Sequence, residues 1–130
     1  ARTGARARWS CVAVALTDDA GIAAANARLF GLNRPTDALS VPYAPMPGEA
    51  GAWRGEVFVN VQRAGQAGRG RMGPARELAL YLAHACDHLS GASDRTRAGR
   101  RAMRRRELRW VAEAARKGLL RGLLPARHRA

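Results

Sequence analysis

Cysteine is nearly absent from this chain; Cys11 and Cys86 are the only two. Two thiols do not make a disulfide framework, so the fold must rest on its own core and a reducing compartment is expected. Aromatic residues are scarce, at 5%. Lysine occurs once, as Lys117, although Lys and Arg together number 23. Acidic residues number only 10, leaving a formal net charge of +13 and a pI near 11.7. No apolar run approaches the roughly 18 residues of a membrane span, so no membrane partner is expected. The apolar stretch from Cys11 to Leu16 is too short for a signal-peptide core. A cytoplasmic location is therefore expected. The arginine-rich, acid-free start also fits an organellar transit remnant, which makes an organellar matrix the alternative.

What is present is a chain of 130 residues, 47% apolar, long enough to bury a core and short enough for one domain. Arginine pairs bidentately with phosphates and stacks on bases. A chain this rich in it is expected to meet a polyanion, RNA or DNA, with no preference for DNA implied by charge.

The chain divides into a basic tail over 1–8, a domain over 9–124 and a second basic tail over 125–130. Trp9–Leu16 reads as a buried strand. Thr17-Asp18-Asp19 offers N-cap chemistry and first-turn acids for a helix over 19–30 that ends near Gly31. Thr36–Val41 reads as a strand stopped by Pro42, and residues 43–54 as a loop. Glu56–Val61 alternates with a period of two, as a half-buried strand does. Glycines at 65, 68, 70 and 73 predict a mobile basic loop over 64–73. Pro74 suits the first turn of a helix running to Leu89. Residues 95–124 follow as a second long helix, with Met103, Trp110, Val111 and Ala114 on its inward face. The expected fold is α/β (α+β): a small mixed β-sheet of about four strands packed with helices, with a metal site at the end of a central helix.

That site is predicted by spacing. His84 and His88 stand four apart on the 74–89 helix, so both rings leave the same face. Gly91 lets the chain double back, and Asp94 arrives three residues later. Two helical histidines, a turn and a third ligand leave a fourth position open, the pattern of a catalytic zinc site. Nickel, iron or manganese also suit two histidines and a carboxylate. Asp87 lies off the histidine face, and Cys86 is expected to face the core as a small hydrophobe. A zinc peptidase of similar spacing needs Glu directly after the first histidine; Ala85 stands there, which removes the proton acceptor of that chemistry.

Taken together, His84-Ala85-Cys86-Asp87-His88-Leu89-Ser90-Gly91-Ala92-Ser93-Asp94 resembles the H-G-x-L-H-L-x-G-Y-D-H signature of the YbeY family of single-domain endoribonucleases. Asn26, then Arg34-Pro35-Thr36-Asp37-Ala38-Leu39-Ser40-Val41-Pro42, is similar to the family's upstream asparagine and K-x-T-D-V-L-S-F-P stretch. Gly55-Glu56-Val57-Phe58-Val59 resembles its G-D-I-x-I strand, and Met103 and Glu107 its late Met and Glu. The chain departs at Asp94, where the family has a third histidine, and at Phe30, where many members carry arginine. Asp94 remains a good zinc ligand, but its charge leaves the ion a weaker Lewis acid.

The resemblance implies a zinc-dependent endoribonuclease that cuts single-stranded RNA during ribosomal RNA maturation and ribosome quality control. Its implied partners are a ribosomal RNA precursor and ribosomal small-subunit proteins. Thr36, Asp37 and Ser40 match the family stretch and are implied substrate-binding residues, with hydrogen bonding within the strand–loop turn as the equal alternative. Arg34 and Arg63 are candidates for binding substrate and stabilising transition-state charge, with Arg34 the one catalytic candidate. The run Arg100–Arg106 reads as a solvated face toward RNA or the ribosome. The rival class is a non-catalytic, zinc-stabilised basic module that docks on RNA or the ribosome.

Overall fold

A computed structural model describes residues 8–48, 51–69 and 73–124. The basic tail over 125–130, nearly all of that over 1–8, and part of the glycine-rich loop lie outside them. The elements are β1 (Trp9–Thr17), α1 (Asp19–Phe30), β2 (Ala38–Tyr43), β3 (Trp53–Asn60), α2 (Val61–Ala67), α3 (Gly73–Leu89) and α4 (Arg97–Arg116). The sheet is mixed, as expected, but among the described residues it has three strands rather than four, in the order β1-β3-β2. β1 runs parallel to β3, with Val14 beside Val57, and β2 runs antiparallel to it, with Ser40 beside Val57.

Local chemistry explains most boundaries. The Asp18 carboxylate accepts from the Gly21 N–H at 2.8 Å and starts α1; Gly31, at φ 70°, ends it. Thr96 caps α4 through the Gly99 N–H at 2.9 Å. α4 stops at Arg116, well short of 124, because Gly118 turns at φ 73° and the Leu119 N–H closes back on the Ala114 carbonyl. β2 begins two residues later than expected and runs through Pro42. It tolerates proline because it is an edge strand whose outer side needs no donor.

Residues 61–67, expected as the end of a strand and the start of a loop, form α2 instead. The buried Asn60 side chain accepts from the Arg63 N–H at 3.0 Å, and this cap outweighs the weak helix propensity of Gly65. The chain then makes a contact that demands glycine, since a Cβ on Gly68 would lie 2.3 Å from the Gly73 carbonyl carbon.

α3 is the central element. Leu78, Tyr81, Ala85 and Leu89 fall on one helical stripe and pack on Val57, Val59 and Ala64. Its other side meets α4 and the following turn through Ala75, Leu80, Val111 and Leu120. Each fully buried aliphatic side chain here stabilises the fold by roughly 1.5–3 kcal/mol.

Three burial expectations are corrected. β1 is not a buried strand: Val14 is 49% and Leu16 65% exposed. It is the other edge strand; α3 lies mainly across β2 and β3, and Trp9 at the start of β1 packs against that core. Trp110 is exposed; the inward stripe of α4 is Met103, Glu107 and Val111, each four residues from the next. Cys86 is exposed rather than packed in the core, because α3 buries only the stripes facing the sheet and α4.

Candidate metal centre and cleft

The last turns of α3 present His84 and His88 side by side, with ring centroids 4.5 Å apart and planes at 87°. Gly91, at φ 98°, reverses the chain and brings Asp94 to the same place. One ligand atom from each of the three residues lies within 4.8 Å of the others. The two Nε2 atoms are 3.1 Å apart, and His88 Nε2 is 3.5 Å from Asp94 Oδ2. Two nitrogens bound to one tetrahedral zinc at roughly 2.0–2.1 Å lie about 3.3 Å apart, so the spacing fits.

The hydrogen bonds behind the rings decide their tautomers. His84 Nδ1 donates to Glu107 Oε1 at 2.6 Å, and His88 Nδ1 donates to the Ala92 carbonyl at 3.2 Å. A carboxylate and a carbonyl can only accept, so each Nδ1 carries the hydrogen. Both Nε2 lone pairs then point at one another and at an anionic carboxylate. Such an arrangement is repulsive without a cation between them. A proton relieves one pair of acceptors, whereas a divalent metal satisfies all three. Glu107 is 4% exposed and completes the carboxylate–histidine pairing typical of metal-ligand support.

Asp87 is not part of this set. Its buried carboxylate is taken by Arg106, whose Nε and Nη2 each approach to 3.1 Å and tie α3 to α4. Arg100 Nη1 donates to the Asp94 carbonyl at 3.1 Å and holds the ligand loop against α4.

The centre opens into a cleft of about 470 Å³ between α3 and α4, closed on one side by the start of β2. Asp37, Glu77, Tyr81 and Arg104 line it together with His84 and Asp94. The Tyr81 phenol is pushed up to about 12, first by burial, then by the negative charges of Asp37 and Glu77 and its hydrogen bond to Glu77. It therefore stays protonated at neutral pH and cannot serve as a base.

The other predicted site residues divide. Asp37 lines the cleft and pairs with Arg63 at 3.1 Å, placing both at its rim. Thr36 is tied by its carbonyl to the Asn60 amide at 3.2 Å. Ser40 is half-buried on β2 and is not among the residues lining the cleft. Arg34 is exposed on the turn before β2, also outside the lining, with its carbonyl accepting from Asn26 at 3.0 Å.

Sequence reasoning passed over Asn60. It is fully buried, donates to Asp19 Oδ1 at 2.6 Å and to the Thr36 carbonyl, and caps α2. Its own N–H donates to the Asp37 carbonyl at 2.9 Å. It thus fixes Asp37 and Arg63 relative to each other. An asparagine, a good N-cap residue, among the apolar Val57, Val59 and Val61 was the available signal.

Residues 3–115 match the family model described as Endoribonuclease YbeY. No curated protein matches the chain.

Proposed function

The chain belongs to the YbeY endoribonuclease family, and from that premise we propose that it is a zinc-dependent enzyme cutting single-stranded RNA in ribosomal RNA maturation and ribosome quality control. One observation supports the metal dependence: ligand atoms of His84, His88 and Asp94 converge within 4.8 Å of one another, with both Nδ1 atoms engaged behind the rings. What a bound zinc ion supplies is Lewis-acid polarisation of a phosphoryl oxygen and a more acidic water. Every other part of the work falls to side chains.

Glu107 holds the His84 ring with its Nε2 lone pair forward, and the Ala92 carbonyl does the same for His88. Asp94 would supply the third ligand, and with His84 it lines the cleft. The Asp37–Arg63 pair sets a polar rim beside it. Tyr81, kept neutral, lines the cleft together with the Glu77 carboxylate. The net charge of +13 draws the RNA backbone in.

The rival docking reading draws on Asp94, whose charge weakens the Lewis acid, and on Phe30, which stands half-exposed where an arginine would aid catalysis. The test is cleavage of a labelled single-stranded RNA by zinc-loaded and metal-stripped protein, beside His84→Ala. Cutting only by the loaded wild type establishes the enzyme. Tight RNA binding without cutting in any metal state refutes it and leaves the docking module.

A further inference from the structure

The arginine run of α4 is not one uniform face. At about 100° per residue, Arg100 and Arg104 sit within about 40° of each other, while Arg106 points about 200° away from Arg104. The structure uses this difference. Arg106 is committed to Asp87, and it lines, with Arg105 and Arg109, a separate groove. Arg101 and Arg105 are exposed and outside the cleft. Arg100 and Arg104 line the cleft itself, beside His84 and Asp94.

Their charge is needed there. Four carboxylates line the cleft (Asp37, Glu77, Asp94 and Glu107) against these two guanidinium groups. The lining therefore carries a formal −2, which a divalent ion brings to zero. Without both arginines the lining would stay at −2 with the ion bound, offset in part by Arg63 on Asp37 at the rim, and would hold a phosphodiester less well. Arg100 is held in place by the Asp94 carbonyl, so its fork is oriented before any ligand arrives. Arg104 has no hydrogen-bond or ion-pair partner among the described residues and its donors are free. Residues four apart on a helix are separated by about 6 Å along the axis, close enough for both guanidinium groups to reach one phosphate or two neighbouring ones.

We propose that Arg100 and Arg104 form a phosphate clamp on α4 that binds the backbone of the RNA strand inside the cleft, next to the metal centre. The proposal rests on the reading of this cleft as an RNA site. It assigns these two arginines a role that the rest of the arginine run does not share.

The test compares Arg100→Ala/Arg104→Ala with Arg101→Ala/Arg105→Ala, a pair of equal spacing and equal charge change on the neighbouring face. Binding of a fluorescent single-stranded oligoribonucleotide is measured across a salt series, with zinc content and cleavage kinetics recorded on the same preparations. The clamp variant is expected to lose at least about 10-fold in affinity, as loss of charge-assisted hydrogen bonds implies. Its salt slope should fall by about 1.4, from roughly 0.7 per released phosphate contact on a single strand. The neighbouring pair should bind within about 3-fold of wild type, as expected of solvated surface charges. KM should rise while zinc content holds. Because Arg100 also touches the ligand loop, Arg104→Ala alone serves as the second variant, with the same direction and about half the change in slope.

Equal loss of affinity in both double variants would overturn the clamp, since it would reveal only a diffuse positive face. Wild-type affinity in the Arg100/Arg104 variant, with cutting intact, would overturn the clamp and leave the enzyme reading standing. Loss of binding in that variant, from a wild type that binds RNA but never cuts it, would support the clamp and remove the enzyme reading.

Discussion

Replacing Glu107 by glutamine keeps the shape of the side chain and removes its charge. In the wild type this carboxylate accepts from His84 Nδ1 at 2.6 Å and is 4% exposed. It fixes the tautomer and the orientation of the ring, so that Nε2 points into the metal centre. Loss of such an outer partner costs about 10–100-fold in metal affinity. A glutamine carbonyl still accepts the same hydrogen, so Glu107→Gln should fall near the low end, about 10-fold or about 1.4 kcal/mol. Glu107→Ala removes the acceptor altogether and should approach the upper end of that range. Stability without metal should move differently. A buried charge is costly to hold, so the neutral glutamine should leave the metal-free melting temperature unchanged or raise it. The assay is competition for zinc against a chromophoric chelator, beside thermal unfolding with and without zinc. Unchanged zinc affinity in both variants would refute the claim that Glu107 positions the ligand. A fall in metal-free stability equal to the fall in zinc binding would show a merely structural role.

Three further outcomes follow from the same geometry. Asn60→Ala strips the cap of α2 and leaves Asp19 and the Thr36 carbonyl without their donor, so urea unfolding should show a loss of about 2–3 kcal/mol. Arg106→Ala leaves the Asp87 carboxylate buried and unpaired; because Arg106 itself is 35% exposed, the cost should sit below the usual range for breaking a buried pair, at about 2–3 kcal/mol, and Asp87→Asn/Arg106→Ala should recover part of it in the same denaturation experiment. Tyr81 holds its proton to about 12 in the folded chain against 10.0 for an ordinary tyrosine phenol, so between those values the native state binds more protons than the unfolded one and stability falls as pH rises. Tyr81→Phe should flatten that part of the pH–stability curve, leaving the smaller contribution of Tyr43, whose phenol is raised first by its hydrogen bond to Glu56. Ultraviolet titration of the phenolates checks it directly.

Sequence alone determined the parts governed by neighbours within a few residues. His84 and His88 share a face because a helix repeats every 3.6 residues, and Gly91 turns the chain because it lacks a Cβ. Thr17-Asp18-Asp19 announced a cap, which Asp18 supplies, and Pro74 fell within the first turn of α3, by equally local chemistry. The family resemblance drew on these same short-range patterns. Only the tertiary structure decided which faces were covered and which charges met. β1 carries a buried-strand composition, yet it lies at a sheet edge where Val12, Val14 and Leu16 stay exposed. Gly65 argued for a loop until the buried Asn60 amide, fixed by Asp19 and Thr36 from distant segments, capped a helix there. The arginines of α4 look alike in sequence, but Asp87 takes Arg106 while the cleft takes Arg100 and Arg104. Glu107 became a ligand support only because α4 packs on α3 and brings its carboxylate to His84, 23 residues away. Helical period and capping are written within one turn of chain; burial, pairing and site assembly depend on what arrives from elsewhere in it.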